Sequence, residues 1–432
     1  MTALTIGLIL FVILLILLAS GLWVGVSLLL VGFISIAFFT PAPAGSLLAT
    51  TLWDKSWAWP LTALPLFIWM GEILTRSRLS EYMFSGLAPW MGRIPGRLLH
   101  VNLIGCTMMA AVSGSSAVTS ATIGRMSLPE LEQRGYDERL ALGTLAGSGT
   151  LGLLIPPSIM MIVYGIVAQQ SISKLFIAGI IPGLLIISLF AGYVMIWALF
   201  NKDKVPKNDI HMSFLQKLGN SKKLIPIILL LSLVIASIYS GVATPTEAAT
   251  LGVVGALLLS AVNRTLSFKL IGDSLLKSVQ LTCMITFIIA GASLLSTGMA
   301  FTGIPSAIAS SVSELGLSPY ALLLVLTVIY IVLGCFLEGA SMIVLTASVA
   351  LPMIKAAGID PIWFGIYLII MVEMAQITPP VGMNLFVVQA MSGKNIWTVT
   401  RAAMPFFFLM LLGIAILAVF PGLVSFLPDL MR

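Results

Sequence analysis

Apolar runs of membrane-spanning length recur along this chain from one end to the other. About 20 apolar residues cross the roughly 30 Å of hydrocarbon in a bilayer. Backbone groups in lipid need internal partners, so such runs become helices. The residues are 59% hydrophobic and 9% charged over 432 positions, against about 25% charged in soluble domains. We therefore expect an all-α polytopic membrane protein of about ten transmembrane helices. Lys plus Arg is 22 against 16 acids, a net +6, which suits the positive-inside bias of a membrane protein better than a nucleic-acid partner. Cys106, Cys283 and Cys335 all lie in apolar runs and read as buried small hydrophobes. Two histidines, His100 and His211, leave little for a His-based metal centre, and no P-loop motif is present.

The chain divides into two similar halves. In 1–200, uncharged spans near 4–19 and 21–40 precede a span at about 57–74, all within a scaffold segment 1–75. The run starting at Met1 lacks the basic start and cleavage site of a signal peptide, so it reads as a span. An amphipathic piece at 76–97 sets Arg93 and Arg97 against Met83, Leu87 and Trp90, the pattern of an interfacial helix. The stretch 98–128 is interrupted at Ser113-Gly114-Ser115-Ser116 and carries arginine at both ends. It reads as a re-entrant hairpin, with a plain pair of spans as the other reading. Next come a span at 138–168, broken at Gly147-Ser148-Gly149-Thr150 and Pro156-Pro157, and a span at 175–200. A Lys-rich linker, 201–223, leads into 224–432. That half has scaffold spans over 224–298 and a short piece at 300–317. A second hairpin at 318–354 is interrupted at Glu338-Gly339-Ala340-Ser341, and a broken span at 363–389 precedes the last span at 399–427.

Pro129, Pro156, Pro157 and Pro182 match Pro352, Pro379, Pro380 and Pro405, each displaced by 223 residues. With 201–223 placed in the cytoplasm, eighteen of the 22 basic residues fall inside, leaving Lys55, Lys174, Lys355 and Arg432 outside. The hairpins then open to opposite sides, which makes the halves two inverted-topology repeats with both termini periplasmic. Such repeats place a substrate site near the bilayer midplane.

Helix breaks in mid-membrane persist where protein, water or a ligand satisfies the freed backbone. Carbonyls and hydroxyls there are hard oxygen donors for a small cation such as Na⁺, and freed N–H groups suit an anion. Two cation sites are expected. The first draws on Ser113, Gly114 and Ser115 with Gly147, Gly149, Thr150 and Pro156. The second draws on Gly339 and Ser341 with Gln376, Thr378, Pro379 and Gly382. Isolated glycines such as Gly71 and Gly252 read as packing positions. Ser116 and Ser158, beside the breaks, and Asn384 are candidate substrate contacts. Arg125 is another, beside the snorkelling role that its place near the interface favours. Of the acids in apolar segments, Glu72 reads as a local partner of Arg76 and Arg78, and Glu247 as a helix cap. Glu338 and Glu373 could accept backbone N–H bonds, the first choice, or carry a proton or stabilise a cation.

The run from Ser113-Gly114-Ser115-Ser116 through Leu128-Pro129 to Gly135-Tyr136 resembles the large membrane subunit of tripartite ATP-independent periplasmic (TRAP) transporters, the DctM-like family. So do Gly152 to Ser158, Ala243 to Ala249 (Ala-Thr-Pro-Thr-Glu-Ala-Ala) and Ile377 to Phe386 (Ile-Thr-Pro-Pro-Val-Gly-Met-Asn-Leu-Phe). The resemblance covers essentially the whole chain. Arg125 departs from it, standing where the family pattern has a small or apolar residue. The resemblance implies an elevator-type ion-transporter-like fold and no enzyme activity. It implies Na⁺-driven uptake of an organic acid, such as a C4-dicarboxylate or sialic acid, across a bacterial inner membrane. It also implies a small four-helix membrane subunit, here a separate chain, and a periplasmic substrate-binding protein. The alternatives are a stand-alone Na⁺-coupled carboxylate symporter and, from another class, an intramembrane enzyme or assembly scaffold.

Overall fold

The computed structural model describes residues 2–77, 79–206, 213–314 and 316–430. Arg78, Lys207 and Arg432, which entered the charge reading above, and His211 lie outside the described residues. The regular elements described are all helical. Five helices are long and apolar enough to cross a membrane alone: Ile172–Phe200, Pro245–Val262, Phe268–Thr302, Gly339–Ala356 and Ile396–Val419. Two bent pairs, Ala44–Ser56 with Trp59–Thr75 and Phe214–Ser221 with Ile225–Tyr239, raise the number to seven. Ala3–Ala19 and Val24–Phe39, of 17 and 16 residues, are shorter apolar helices.

The helices sort into two packed groups. One is built on Phe268–Thr302, whose 35 residues span about 52 Å at 1.5 Å per residue. It packs along Val24–Phe39 and against Ala44–Ser56 and Ala63–Thr75. Glycines bring its backbone close to Val24–Phe39: a Cβ on Gly32 would lie 2.6 Å from Leu295 N, and one on Gly291 2.6 Å from Gly25 O. Small residues bring membrane helices together in this way, since lipid offers no hydrophobic drive between them. Gly252 does the same job against Met70, whose sulfur would lie 2.5 Å from an added Cβ. The sequence reading missed Ala44–Ser56 because Thr50, Thr51, Asp54 and Lys55 interrupt its apolar face. Pro60 then opens a 3-10 turn, and the chain bends 50° into the next helix.

The second group contains the hairpins and the broken spans. Leu99–Ser113 stops at Gly114, whose φ of 56° is left-handed, and Ser116–Gln133 returns. Glu138–Thr150 runs into a 3-10 turn, Leu151–Leu153, and the chain resumes as a helix at Ile159 beyond a cis Pro156–Pro157 bond. In the second half Pro319–Gly334 and Gly339–Ala356 form the corresponding pair. Pro361–Ala375 and Met383–Ser392 flank a cis Pro379–Pro380 bond.

Two expected break positions shift. Gly147 to Thr150 stay helical, and the break begins at Leu151. Their small side chains answer to packing: a Cβ on Gly147 would meet the Phe406 ring at 2.5 Å. The second hairpin turns at 335–338, with Gly339 to Ser341 already in the returning helix. The amphipathic helix Leu79–Met91 covers protein rather than lying free, with Met83 and Leu87 buried against the first hairpin arm and the linker. Trp90 Nε1 donates to Ser221 Oγ at 2.7 Å, and Arg97 donates to Pro206 O, tying the linker down. Of the cysteines, Cys106 is buried but Cys283 is exposed on the long helix, where lipid would meet it.

The glycine contacts generate a test. Gly32→Leu should lower the melting temperature of the purified protein by several degrees, since overpacking costs about 1–3 kcal/mol. Gly45→Leu, where an added Cβ meets nothing within 4 Å, should leave it unchanged. Equal effects from the two would remove the close-packing account.

Candidate functional site

Two of the four intramembrane acids are structural. Glu247 closes a capping box: Thr244 N donates to Glu247 Oε2 at 2.7 Å, and Glu247 N donates to Thr244 Oγ1 at 3.4 Å. Glu72 pairs with Arg76 at 3.2 Å, as expected.

The first hairpin tip is the densest polar junction. Ser113 Oγ lies 2.7 Å from Thr119 Oγ1, and Ser115 N donates to Ser113 Oγ at 3.3 Å. Ser116 Oγ donates to Thr150 O at 3.2 Å, linking the tip to the last turn of Glu138–Thr150. The tip touches both sides of the first break. A Cβ on Gly152 would lie 3.2 Å from Ser115 C, and one on Gly114 3.1 Å from Ile159 Cγ1. Against the scaffold group, a Cβ on Gly71 would lie 2.7 Å from Val112 O, so Gly71 is a packing position as expected.

Asn384 completes this junction from the other half of the chain. Fully buried, its amide satisfies both neighbours when Nδ2 donates to Ser116 O at 3.1 Å and Oδ1 accepts from Thr150 N at 3.2 Å. The structure therefore brings Ser113, Ser115, Ser116, Thr150 and Asn384 together across the two halves. Sequence reasoning had not placed Asn384 against the first tip. It also missed Thr119 and Ser120, both buried at the junction. The signal for them was their spacing of three and four residues from Ser116 on one helix face.

The second tip is looser. Ser341 Oγ donates to Glu338 Oε1 at 3.3 Å. Among the described residues no hydrogen bond joins Ser341 to the turn 376–382. In that turn Gly382 N donates to Thr378 O at 3.0 Å and Asn384 N to Gln376 O at 3.0 Å. The same two carbonyl oxygens would each lie 3.0 Å from a Cβ on Gly382, so they converge there. Pro379 contributes the cis bond of the turn. Ser158 serves the first break internally, donating to Leu153 O and capping Met161 N at 3.4 Å. Arg125 is exposed and lines a recess of about 460 Å³ with Glu132, Glu138 and Lys394. It stands nine residues beyond Ser116 on the same helix, about 13 Å from the tip.

Glu373 is fully buried just before the second break. Its carboxylate faces the backbone N–H groups of Leu153 and Leu154 in the first break, yet neither oxygen reaches hydrogen-bond geometry with them. The backbone N–H bonds expected of Glu373 are therefore not made.

The closest fit in the junction is at Gly149. A Cβ there would overlap Ser120 Oγ and sit 3.2 Å from the Asn384 amide. Gly149→Ala should reduce uptake at least about tenfold, as a buried hydrogen bond displaced without compensation costs about 1–3 kcal/mol. Adding Ser120→Ala should restore much of it. A double variant no better than Gly149→Ala alone would contradict this packing.

The family model described as tripartite ATP-independent periplasmic transporter, DctM component, matches residues 11–423. The chain is 36% identical over 404 residues to the C4-dicarboxylate TRAP transporter large permease protein DctM of Pseudomonas aeruginosa, covering 93% of this chain and 94% of that protein. It is 34% identical over 374 residues to the ectoine/5-hydroxyectoine TRAP transporter large permease protein UehC of Ruegeria pomeroyi, covering 86% of each. The crystal structure of the Alcanivorax borkumensis YdaH transporter matches with a TM-score of 0.64, over 88% of this chain and 90% of that one. At 14% identity that likeness shows a shared transporter fold alone. A family match over nearly the whole chain, and relatives named as permeases rather than enzymes, make this multi-pass membrane protein a member of the DctM family, the large permease component of tripartite ATP-independent periplasmic transporters.

Proposed function

We propose that this permease drives uptake of an organic acid with a Na⁺ gradient, by elevator-type alternating access in a bacterial inner membrane. The observation that carries the reading is the junction of Ser116, Thr150 and Asn384, where a hairpin tip, the end of a broken span and a residue of the other half lock together. The repeated element order supports two inverted repeats, 1–200 and 224–432, with the linker 201–223 in the cytoplasm and both termini periplasmic. In this reading the hairpins and broken spans move as one body against the group built on Phe268–Thr302. A separate small membrane subunit and a periplasmic substrate-binding protein complete the transporter. The relatives named for C4-dicarboxylates and for ectoine share a carboxylate on the substrate, which supports an acid here.

The donors at the tips are hydroxyl and carbonyl oxygens, the hard set that an alkali cation takes. Ser113, Gly114 and Ser115, with Gly147, Gly149, Thr150 and Pro156, would hold one ion. Gly339, Ser341, Gln376, Thr378, Pro379 and Gly382 would hold the second, once Ser341 turns from Glu338. When bound, the ion would supply positive charge at the tip. Ser116 and Asn384 then orient the tip, while Ser158 keeps the first break folded.

Uptake into proteoliposomes holding this chain and its small partner tests the reading. We expect transport to require both an inward Na⁺ gradient and the binding protein. Ser113→Ala and Ser341→Ala should each raise the Na⁺ concentration for half-maximal uptake about tenfold, near 1.4 kcal/mol, with expression unchanged. Unaltered Na⁺ dependence in both variants would remove the site assignment. Gradient-driven uptake without the binding protein would make this a stand-alone symporter.

A further inference from the structure

A chamber of about 440 Å³ opens between the two helix groups on the face that carries Lys55. Small-molecule sites run from about 300 to 1,000 Å³. Each wall presents one helical face. Thr51, Asp54 and Lys55 come from Ala44–Ser56, and Ser293, Ser296 and Thr297 from Phe268–Thr302. Opposite them stand Gln169, at the end of the half-helix Ile159–Ala168, and Ser348 on the returning arm of the second hairpin. None of the sequence-derived site residues lines it.

What sets the chamber apart is how many of its polar groups are free. Helical serines and threonines in this protein commonly donate back to the preceding turn, as Thr297 does to Ser293 O. The hydroxyls of Ser293 and Ser296, the Gln169 amide and the Lys55 ammonium make no hydrogen bond or ion pair with protein among the described residues. The Ser116, Ser158 and Asn384 side chains, by contrast, are buried and fully engaged with protein.

The charges choose the ligand. Lys55 is the one cation on the described lining, and Asp54 beside it leaves the rim electrically neutral. One carboxylate can pair with Lys55, whereas a second would meet Asp54 with no cation of its own. The free hydroxyls and amide can each donate and accept, which matches hydroxyl groups on the ligand. We propose that this chamber is a substrate-binding site for a hydroxylated monocarboxylate, the sugar-acid class, with Lys55 on the carboxylate and Gln169, Ser293 and Ser296 on the hydroxyls. The inference deepens the organic-acid reading and rests on it. Because the two walls belong to different helix groups, their relative motion would close or empty the chamber.

Calorimetric titration of the full chain in lipid nanodiscs with gluconate, succinate and sorbitol tests this. Gluconate should bind about tenfold or more tightly than succinate, and sorbitol, lacking the carboxylate, should not register. Lys55→Gln should weaken gluconate binding about tenfold and Gln169→Ala several-fold, with both variants eluting as the wild type does. Succinate binding as tightly as gluconate overturns the assignment, as does gluconate binding that neither variant changes. Absence of binding by either acid overturns it too, while Na⁺-driven uptake in liposomes would leave the proposed function standing. Lys55-dependent gluconate binding without Na⁺-driven uptake would do the reverse.

Discussion

A helix that stops inside a bilayer leaves backbone donors and acceptors with no water to take them, and each costs several kcal/mol unless protein answers it. This protein interrupts its helices in both halves, and the rest of the hairpin group is arranged around satisfying those interruptions. Asn384 ties the first tip to the other half of the chain. One side chain from the second half takes an N–H and a C=O of the first, Thr150 N and Ser116 O. Ser116 Oγ adds a bond to Thr150 O, and Ser158 folds back on Leu153 O. The two halves are therefore not independent units that happen to touch. The first hairpin tip is held by a residue of the other half, while the turn 376–382 closes on its own carbonyls.

The helix groups differ in how they are held. In one, glycines at 25, 32 and 291 bring backbones together, and dispersion does the work. In the other, polar atoms are packed inward. Six buried side-chain oxygens lack a partner among the described residues, and four of them belong to Asn102, Ser127 and Glu373 of the hairpins and broken spans. Buried groups of this kind are rare in native structures.

Much of this was legible in the sequence, and the limits have physical causes. The hairpins, the broken spans and the capping role of Glu247 followed from charge placement, proline pairs and the Thr-x-x-Glu spacing. The exact break positions did not, because a glycine that permits close packing and a glycine that ends a helix look alike in one dimension. Gly147 proved to be the first kind, against Phe406, and Gly114 the second. Ala44–Ser56 was missed because the hydroxyl and charged residues that face the polar chamber erase its apolar signal. Asn384 was marked as polar and interesting, but its partners lie more than 230 residues away, where no local spacing rule reaches.

Trp53, Trp57 and Trp59 cluster at the bend between Ala44–Ser56 and Ala63–Thr75, with 73%, 81% and 74% of their surface uncovered by protein. Indole rings settle at the boundary between headgroups and hydrocarbon. Three on one bend fix the depth of that helix pair in the membrane, as floats fix a waterline. They belong to the glycine-packed wall, so that wall keeps its level in the bilayer, and the proposed displacement of the hairpins would be measured against it.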